Sequence, residues 1–324
     1  MFRILLALGA SFVATLAIGP IIIPWLKKLK FGQNVRLYGP KSHLKKQGVP
    51  TMGGIMITAV IAVVALAFSH EDGRMDAMLP AVIFIILNAV IGFLDDILKI
   101  KRANSDGLSA KHKTVLLLIL DTAYALWLYN TVGSAVYLPF TDITWNLGWA
   151  YVPFAVIVMY ATTNSANLLD GADGLLSGVT LIIAAALTLI SYFAGPNINN
   201  DFPNMAVLSA ALTGACLGFL VFNRYPARII MGDTGSFAMG GAVTAIMLIN
   251  GMPIFIPILA IMYVLTSASD IIQVISYKTR RKRVFRMAPL HHHFELGGMK
   301  ETRIVSMYMA ITLAAAAVTF WAVS

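Results

Sequence analysis

The chain has 324 residues, 58% of them hydrophobic and only 12% charged, with 24 Lys and Arg against 15 Asp and Glu for a formal net charge of +9. A soluble domain carries about a quarter charged residues, so this composition excludes an ordinary water-soluble enzyme and indicates a polytopic membrane protein. A single cysteine, Cys216, excludes an intrachain disulfide and a cysteine-rich zinc site, and nothing in the composition points to nucleic acid.

In chain order, ten apolar stretches read as membrane spans, over about 3–26, 51–69, 77–97, 114–132, 149–168, 174–195, 204–223, 234–251, 253–276 and 304–323. The first runs longer than a signal-peptide core and lacks a strongly basic start, so it is kept as a helix. The predicted fold is all-α, one integral membrane domain over 1–324. An even number of spans puts both termini on one side. The loops 27–50, 98–113, 224–233 and 277–303 then hold 22 of the 24 Lys and Arg, leaving Arg3 and Arg74 on the other side. The positive-inside rule makes these loops cytoplasmic and both termini external. Gly214, Gly218, Gly240 and Gly241 in spans seven and eight suit close helix packing, within a monomer or across a homodimer alike.

The acids divide by side. Glu71, Asp72, Asp76, Asp142 and Asp201 fall in external loops, as solvated residues. On the cytoplasmic side Asp95 and Asp96 close span three in GFLDDILKIK, Asp170 and Asp173 follow span five in NSANLLDGADGL, and Asp233 opens span eight in IIMGDTGSF. A lone aspartate at a helix end commonly reaches water or pairs with a lysine. Here Gly171, Gly174, Gly232 and Gly235 surround the acids, which suits backbone approached closely by another group. Lys99 follows Asp96 by three residues, Lys111 and Lys113 share the next loop, and Lys45 and Lys46 precede GVPTMGG.

The last cytoplasmic loop, KTRRKRVFRMAPLHHHFELGGMKETR, pairs a basic run with three consecutive histidines. Such a run is most often a topology signal or an anionic-lipid anchor. Helical side chains point about 100° apart, so three adjacent imidazoles cannot share one metal. An extended or turned backbone behind Pro289 is expected, with one or two imidazoles facing the carboxylates. Carboxylates without cysteine select Mg²⁺ or Mn²⁺. Lysines beside such an ion neutralise a diphosphate while its bridging oxygen leaves. The chemistry indicated is phosphoryl transfer between a cytosolic phosphate donor and a group in the lipid phase.

GFLDDILKIK, NSANLLDGADGL, FNRYPARIIMGDTGS and APLHHHFE, in that order, resemble the polyprenyl-phosphate N-acetylhexosamine-1-phosphate transferases. KKQGVPTMGG and APLHHHFE are similar to the branch acting on muramoyl-pentapeptide, and the resemblance covers essentially the whole chain. It implies that UDP-MurNAc-pentapeptide is joined to undecaprenyl phosphate, giving lipid I and UMP, with Mg²⁺ required. The expected setting is the bacterial cytoplasmic membrane, with the site facing the cytoplasm. By position, the resemblance assigns Asp233 as the magnesium ligand, Asp95 and Asp96 as the acidic pair near the phosphates, and His291 and His292 to the catalytic loop. Lys46, Thr51, Asn167, Asp170, Asp173 and Asn223 match positions lining the nucleotide pocket, and Lys99 and Lys111 match polar residues of the cleft. The chain departs from the family at Ile230, where many members carry a phenylalanine able to stack on uracil.

Within this reading Asp95 is expected to face the reacting phosphates and Asp96 to fix Lys99 or the nucleotide side. Direct attack by the lipid phosphate and a covalent aspartyl-phosphate route both stay open. Direct attack is favoured, because a phosphate monoester with a second pKa of about 6 is mostly dianionic at neutral pH. Two other functions compete: the same transfer from another UDP-N-acetylhexosamine, and cation transport through intramembrane acids. For transport only Asp121 lies clearly mid-span, with Asp270 nearer a helix end. Asp121 is expected to hydrogen-bond a neighbouring helix.

Overall fold

The computed structural model describes residues 1–29, 48–69, 75–102, 107–141, 143–193 and 202–323. Lys46 lies outside these residues, as do Lys45, Glu71, Asp72, Asp142 and Asp201. The elements in order are α1 (Phe2–Lys28), α2 (Gly54–Ala67), α3 (Met75–Lys101), α4 (Ala110–Thr131), β1 (Ala135–Tyr137), β2 (Thr144–Asn146), α5 (Tyr151–Leu169) and α6 (Leu175–Phe193). They continue with α7 (Phe202–Asn223), α8 (Gly232–Ile249), α9 (Ile256–Leu259), α10 (Ile261–Arg280), α11 (Leu290–Leu296) and α12 (Glu301–Trp321). Among the described residues eight helices are long and apolar enough to cross a membrane, and the bent pair α9–α10 brings the number to nine when it is counted as one span. The tenth apolar stretch is α2, of 14 residues. At 1.5 Å per residue it covers about 21 Å, short of a hydrocarbon core of about 30 Å.

The helices pack around α8, whose residues from Thr234 to Ile249 are all buried. It lies against α3 and α5, while α7 lies against α1 and α6. Small residues let these axes approach. A Cβ on Gly240 would run into the Thr163 backbone, and one on Gly241 into Asn88. Gly214 and Gly218 meet the α1 backbone at Leu8 and Phe12 in the same way. All four glycines are therefore used for packing within the chain.

Three expectations need correction, and one feature, a short hairpin, is unanticipated. Span nine is broken: α9 and α10 meet at 82°. Pro253 and Pro257 lack an N–H, so they sit in the first turns of short helical segments rather than inside a long one. The link between spans four and five carries an antiparallel hairpin, pairing Val136 with Trp145. The three histidines lie on a helix, α11, instead of an extended or turned segment. Asp121 is buried on α4 beside Leu117 and Tyr124, and neither carboxyl oxygen has a hydrogen-bond partner among the described residues. Its face of α4 packs on apolar neighbours, so the expected interhelical bond is not made.

Candidate active site

The site is assembled where α3 ends and α8 begins. Gly92 lies three residues before Asp95, and a Cβ there would strike the carbonyl of Asp233. Without a side chain at 92 the two backbones touch, which carries Asp95 and Asp96 to the first turn of α8. That turn has no side-chain cap of its own. Asp96 supplies one from α3: its carboxylate accepts from Asp233 N (3.2 Å), Thr234 N (2.9 Å) and Thr234 Oγ1 (2.8 Å). A helix N-terminus has unsatisfied N–H groups and a positive dipole end, so a carboxylate is the matching partner.

Gly232 makes the preceding turn with φ at +74°, a conformation that favours glycine. A Cβ there would also crowd Asp96 and Thr51. The segment holding Thr51 braces this turn by backbone pairing, with Ile230 N donating to Pro50 O (2.8 Å) and Gly53 N to Ile230 O (2.9 Å). Ile230 is thus tied down through its main chain.

Asp95 and Asp233 face a pair of lysines. Lys99 Nζ lies 2.6 Å from Asp95 Oδ2 and 3.0 Å from Asp233 Oδ2, against 3.9 Å from Asp96. Lys113 Nζ lies 3.1 Å from Asp95 Oδ1 and 3.0 Å from Asp233 Oδ2. Leu108 N donates to Asp95 Oδ1 at 2.8 Å. Asn167, in the last turns of α5, donates from Nδ2 to Asp233 Oδ1 and to Ser236 Oγ, both at 2.9 Å. Asp95 and Asp96 are buried, while Asp233 (15% exposed), Lys113 (20%) and Lys99 (32%) form the open side.

Asp96, expected to fix Lys99 or the nucleotide side, stands 3.9 Å from Lys99, which Asp95 and Asp233 hold more closely, while its own hydrogen bonds go to α8. Lys111 is exposed, and its neighbour Lys113 reaches the carboxylates instead. The signal for Lys113 is helical phase. It lies four residues before the buried Leu117 on the inward face of α4.

A second group of predicted residues gathers around the loop after α5. Asp173 Oδ2 accepts from Ala227 N (2.9 Å), and Asp173 N donates to Glu301 Oε1 (2.6 Å). Asn223 is buried and turned inward: Oδ1 accepts from Gly174 N (3.1 Å) and Ser177 Oγ (2.8 Å), and Nδ2 donates to Ile229 O (3.0 Å). It holds loops together rather than presenting its amide to a pocket. Asp170 ends α5 and is half-buried. His291 is buried against Gly171, whose missing side chain leaves room for the imidazole. His292 Nδ1 lies 3.2 Å from Glu295 Oε2, and His293 Nδ1 accepts from Arg286 N at 3.1 Å. Thr234 and Glu301 are contacts that sequence reasoning missed. Only their positions, next to Asp233 and at the start of α12, hint at them.

Asp95, Asp96 and Asp233 can each offer an oxygen such that the three lie within 4.8 Å of one another. The donors are all hard oxygens and the one cysteine is buried in the apolar core, so the set fits a hard divalent cation. Since Asp96 already serves three donors of α8, Asp95 and Asp233 are the two placed to meet such an ion.

The fold and this cluster define a multi-pass helical membrane protein with an acidic and basic centre at one end of its bundle. Residues 78–251 match glycosyl transferase family 4. Over 314 residues the chain is 43% identical to a phospho-N-acetylmuramoyl-pentapeptide transferase of Acetivibrio thermocellus, covering 96% of this chain and 93% of the relative. It is 46% identical over 310 residues to the enzyme of that name from Clostridium botulinum (96% and 93% covered). It is 44% identical over 322 residues to that from a Thermoanaerobacter species (99% of each). The chain belongs to glycosyl transferase family 4 and, within it, to the phospho-N-acetylmuramoyl-pentapeptide transferases.

Proposed function

We propose that this protein transfers phospho-N-acetylmuramoyl-pentapeptide from UDP-MurNAc-pentapeptide to undecaprenyl phosphate, giving lipid I and UMP for bacterial peptidoglycan synthesis. One observation carries the reading: two lysines and two carboxylates meet at the end of α3, in a chain closely related to enzymes named for this transfer. An oxygen of the lipid phosphate attacks the sugar-linked phosphorus of the diphosphate. The bond from that phosphorus to the bridging oxygen breaks, and UMP leaves with that oxygen.

Lys99 and Lys113, on the open side, neutralise the phosphates as charge moves onto the leaving oxygen. Asn167 and Asp96 hold Asp233 in place from either side of the α8 turn. A magnesium ion held by Asp233, with Asp95 beside it, would supply further neutralisation of the diphosphate. Because the attacking monoester is already mostly dianionic near neutral pH, a general base adds little, and positioning with charge neutralisation provides the acceleration. The family resemblance gives Asp170, Asp173, Thr51 and His292 to the nucleotide side, and His291, on α11, to the reacting end. Lys46, assigned to the same pocket by resemblance, lies outside the described residues. The basic loops and this site face the cytoplasm, in the bacterial inner membrane.

The test is UMP release by purified protein with undecaprenyl phosphate, Mg²⁺ and either UDP-MurNAc-pentapeptide or UDP-GlcNAc. Release with the first donor alone is expected. Release with UDP-GlcNAc alone would overturn the substrate assignment.

A further inference from the structure

The C-terminal half of α10 stands away from the rest of the bundle. After the 82° bend at its start, Ile271, Ile272, Val274, Ile275 and Tyr277 are all between 46% and 58% exposed. Beyond them Lys278, Arg280, Arg281, Lys282 and Arg283 are exposed without interruption. From residue 271 to 294 there are six Lys and Arg and no Asp or Glu. None of the five tip cations forms an ion pair among the described residues.

The tip is a built structure. Arg281 takes a left-handed conformation (φ +54°) that ends the helix, and its guanidinium lies over the Tyr277 ring at 5.9 Å. The returning chain is then fastened to the stem. Ser276 Oγ donates to Lys282 O (2.9 Å), and Gln273 Oε1 accepts from Val284 N (3.0 Å) and Phe285 N (2.9 Å). These bonds turn the polar backbone inward and leave the long cationic side chains outward.

An apolar stem ending in an unneutralised cationic knob is complementary to one environment, acyl chains beneath negative headgroups. Placement of basic loops by topology would need the charges only, with no ordered return of the chain. We propose that the tip of α10 is a docking surface for the phosphodiester headgroups of anionic phospholipids, with the exposed stem seated among their acyl chains. The docked tip sets the height of the 281–289 segment at the membrane surface. That segment leads directly into α11 and His291, so the lipid contact also holds the histidine helix against the site.

The experiment uses the full chain in vesicles of equal phosphatidylcholine and phosphatidylglycerol, extracted gently, with retained lipid counted by native mass spectrometry. The wild type should retain phosphatidylglycerol in preference to phosphatidylcholine. The variant Lys278→Gln/Arg280→Gln/Lys282→Gln/Arg283→Gln, which keeps Arg281 for the turn, should lose that preference by roughly tenfold. A control losing Lys27, Lys28, Lys300 and Arg303 should keep it. In the wild type alone, raising salt from about 0.1 to about 1 M shortens the screening length from roughly 10 to 3 Å and should release the lipid. Salt-independent retention, or equal retention by wild type and tip variant, would overturn the proposal. So would displacement by inorganic phosphate or UDP, which assigns the cations to soluble ligands. A preference of the tip for undecaprenyl phosphate over phosphatidylglycerol would likewise overturn it. Because the readout is lipid and not turnover, its failure is separate from failure of the proposed reaction.

Discussion

Both oxygens of Asp96 accept from the first turn of α8, whereas Asp95 meets two ammonium groups and one loop N–H. Adjacent residues on a helix point about 100° apart, so one acid lies over the helix end and its neighbour over the cleft. Asp95→Asn, Asp96→Asn and Asp233→Asn should each lower turnover by at least about a hundredfold, the scale of losing one preorganised electrostatic group. The routes differ. An amide at 96 would set its NH₂ against N–H donors of α8, so Thr234→Val should act in the same direction and be non-additive with it in a double-mutant cycle. Additive losses would separate Asp96 from α8. Asp233→Asn should in addition raise the Mg²⁺ needed for half-maximal rate, and an unchanged metal requirement would remove it as a ligand. At Gly171 a methyl group would sit on the His291 imidazole. Gly171→Ala should therefore reduce turnover at least about tenfold, with His291→Ala adding little on top. Full additivity would show that the glycine acts elsewhere.

At the scale of elements, the contact between α3 and α8 decides whether the carboxylates meet at all. Gly92 and Gly54 both admit the α8 backbone, at the Asp233 carbonyl and at Gly235 N respectively. Gly92→Ala must push α3 outward, and a shift of about 1 Å at the reacting groups can cost on the order of a hundredfold. The variant should keep its extracted yield and helical circular dichroism while turnover falls; unchanged turnover would mean that α3 has slack here. The spans themselves are legible in the sequence, since some twenty apolar residues in a row leave a helix as the only structure that satisfies the backbone in lipid. The break at Ala260 is not, because its flanks are equally apolar and only Pro253 and Pro257 mark it. α11 is hidden for another reason. Seven residues are too few to hold a helix by propensity, and contacts from Gly171 and Arg286 support it. The candidate site divides in the same way. The motifs mark Asp95, Asp96 and Asp233, but the partner of Asp96 lies 137 residues away and cannot be read locally. Choosing Lys113 over Lys111 requires the phase of α4, which begins at the Ser109 cap.

For the whole molecule, the distribution of charge and the position of the cluster make one joint statement about orientation. The cluster stands at the end of α3 and the start of α8, on the same side of the helices as the loops 98–113 and 224–233. Together with 27–50 and 277–303 these loops hold 22 of the 24 Lys and Arg, whereas Arg3 and Arg74 alone fall opposite. Eight long spans, with the bent pair α9–α10 and the short α2 each taken as one further crossing, make ten, an even number. A reporter fused after Ser324 should then read as external, and one inserted after Arg102 as cytoplasmic. The weak member is α2. At about 21 Å it crosses only with help from its flanks or a locally thinned bilayer. Its contacts nevertheless give it the direction of a crossing: Gly53 and Gly54 lie at the α8 turn, and Ser69, just past its other end, accepts from Arg3 at the start of α1 (3.2 Å). Because α1 runs parallel to α7, with Leu8 at Gly214 and Phe12 at Gly218, a reporter at Met1 should read as external like the one after Ser324. Opposite readings at the two ends would mean an odd number of crossings and one span wrongly counted.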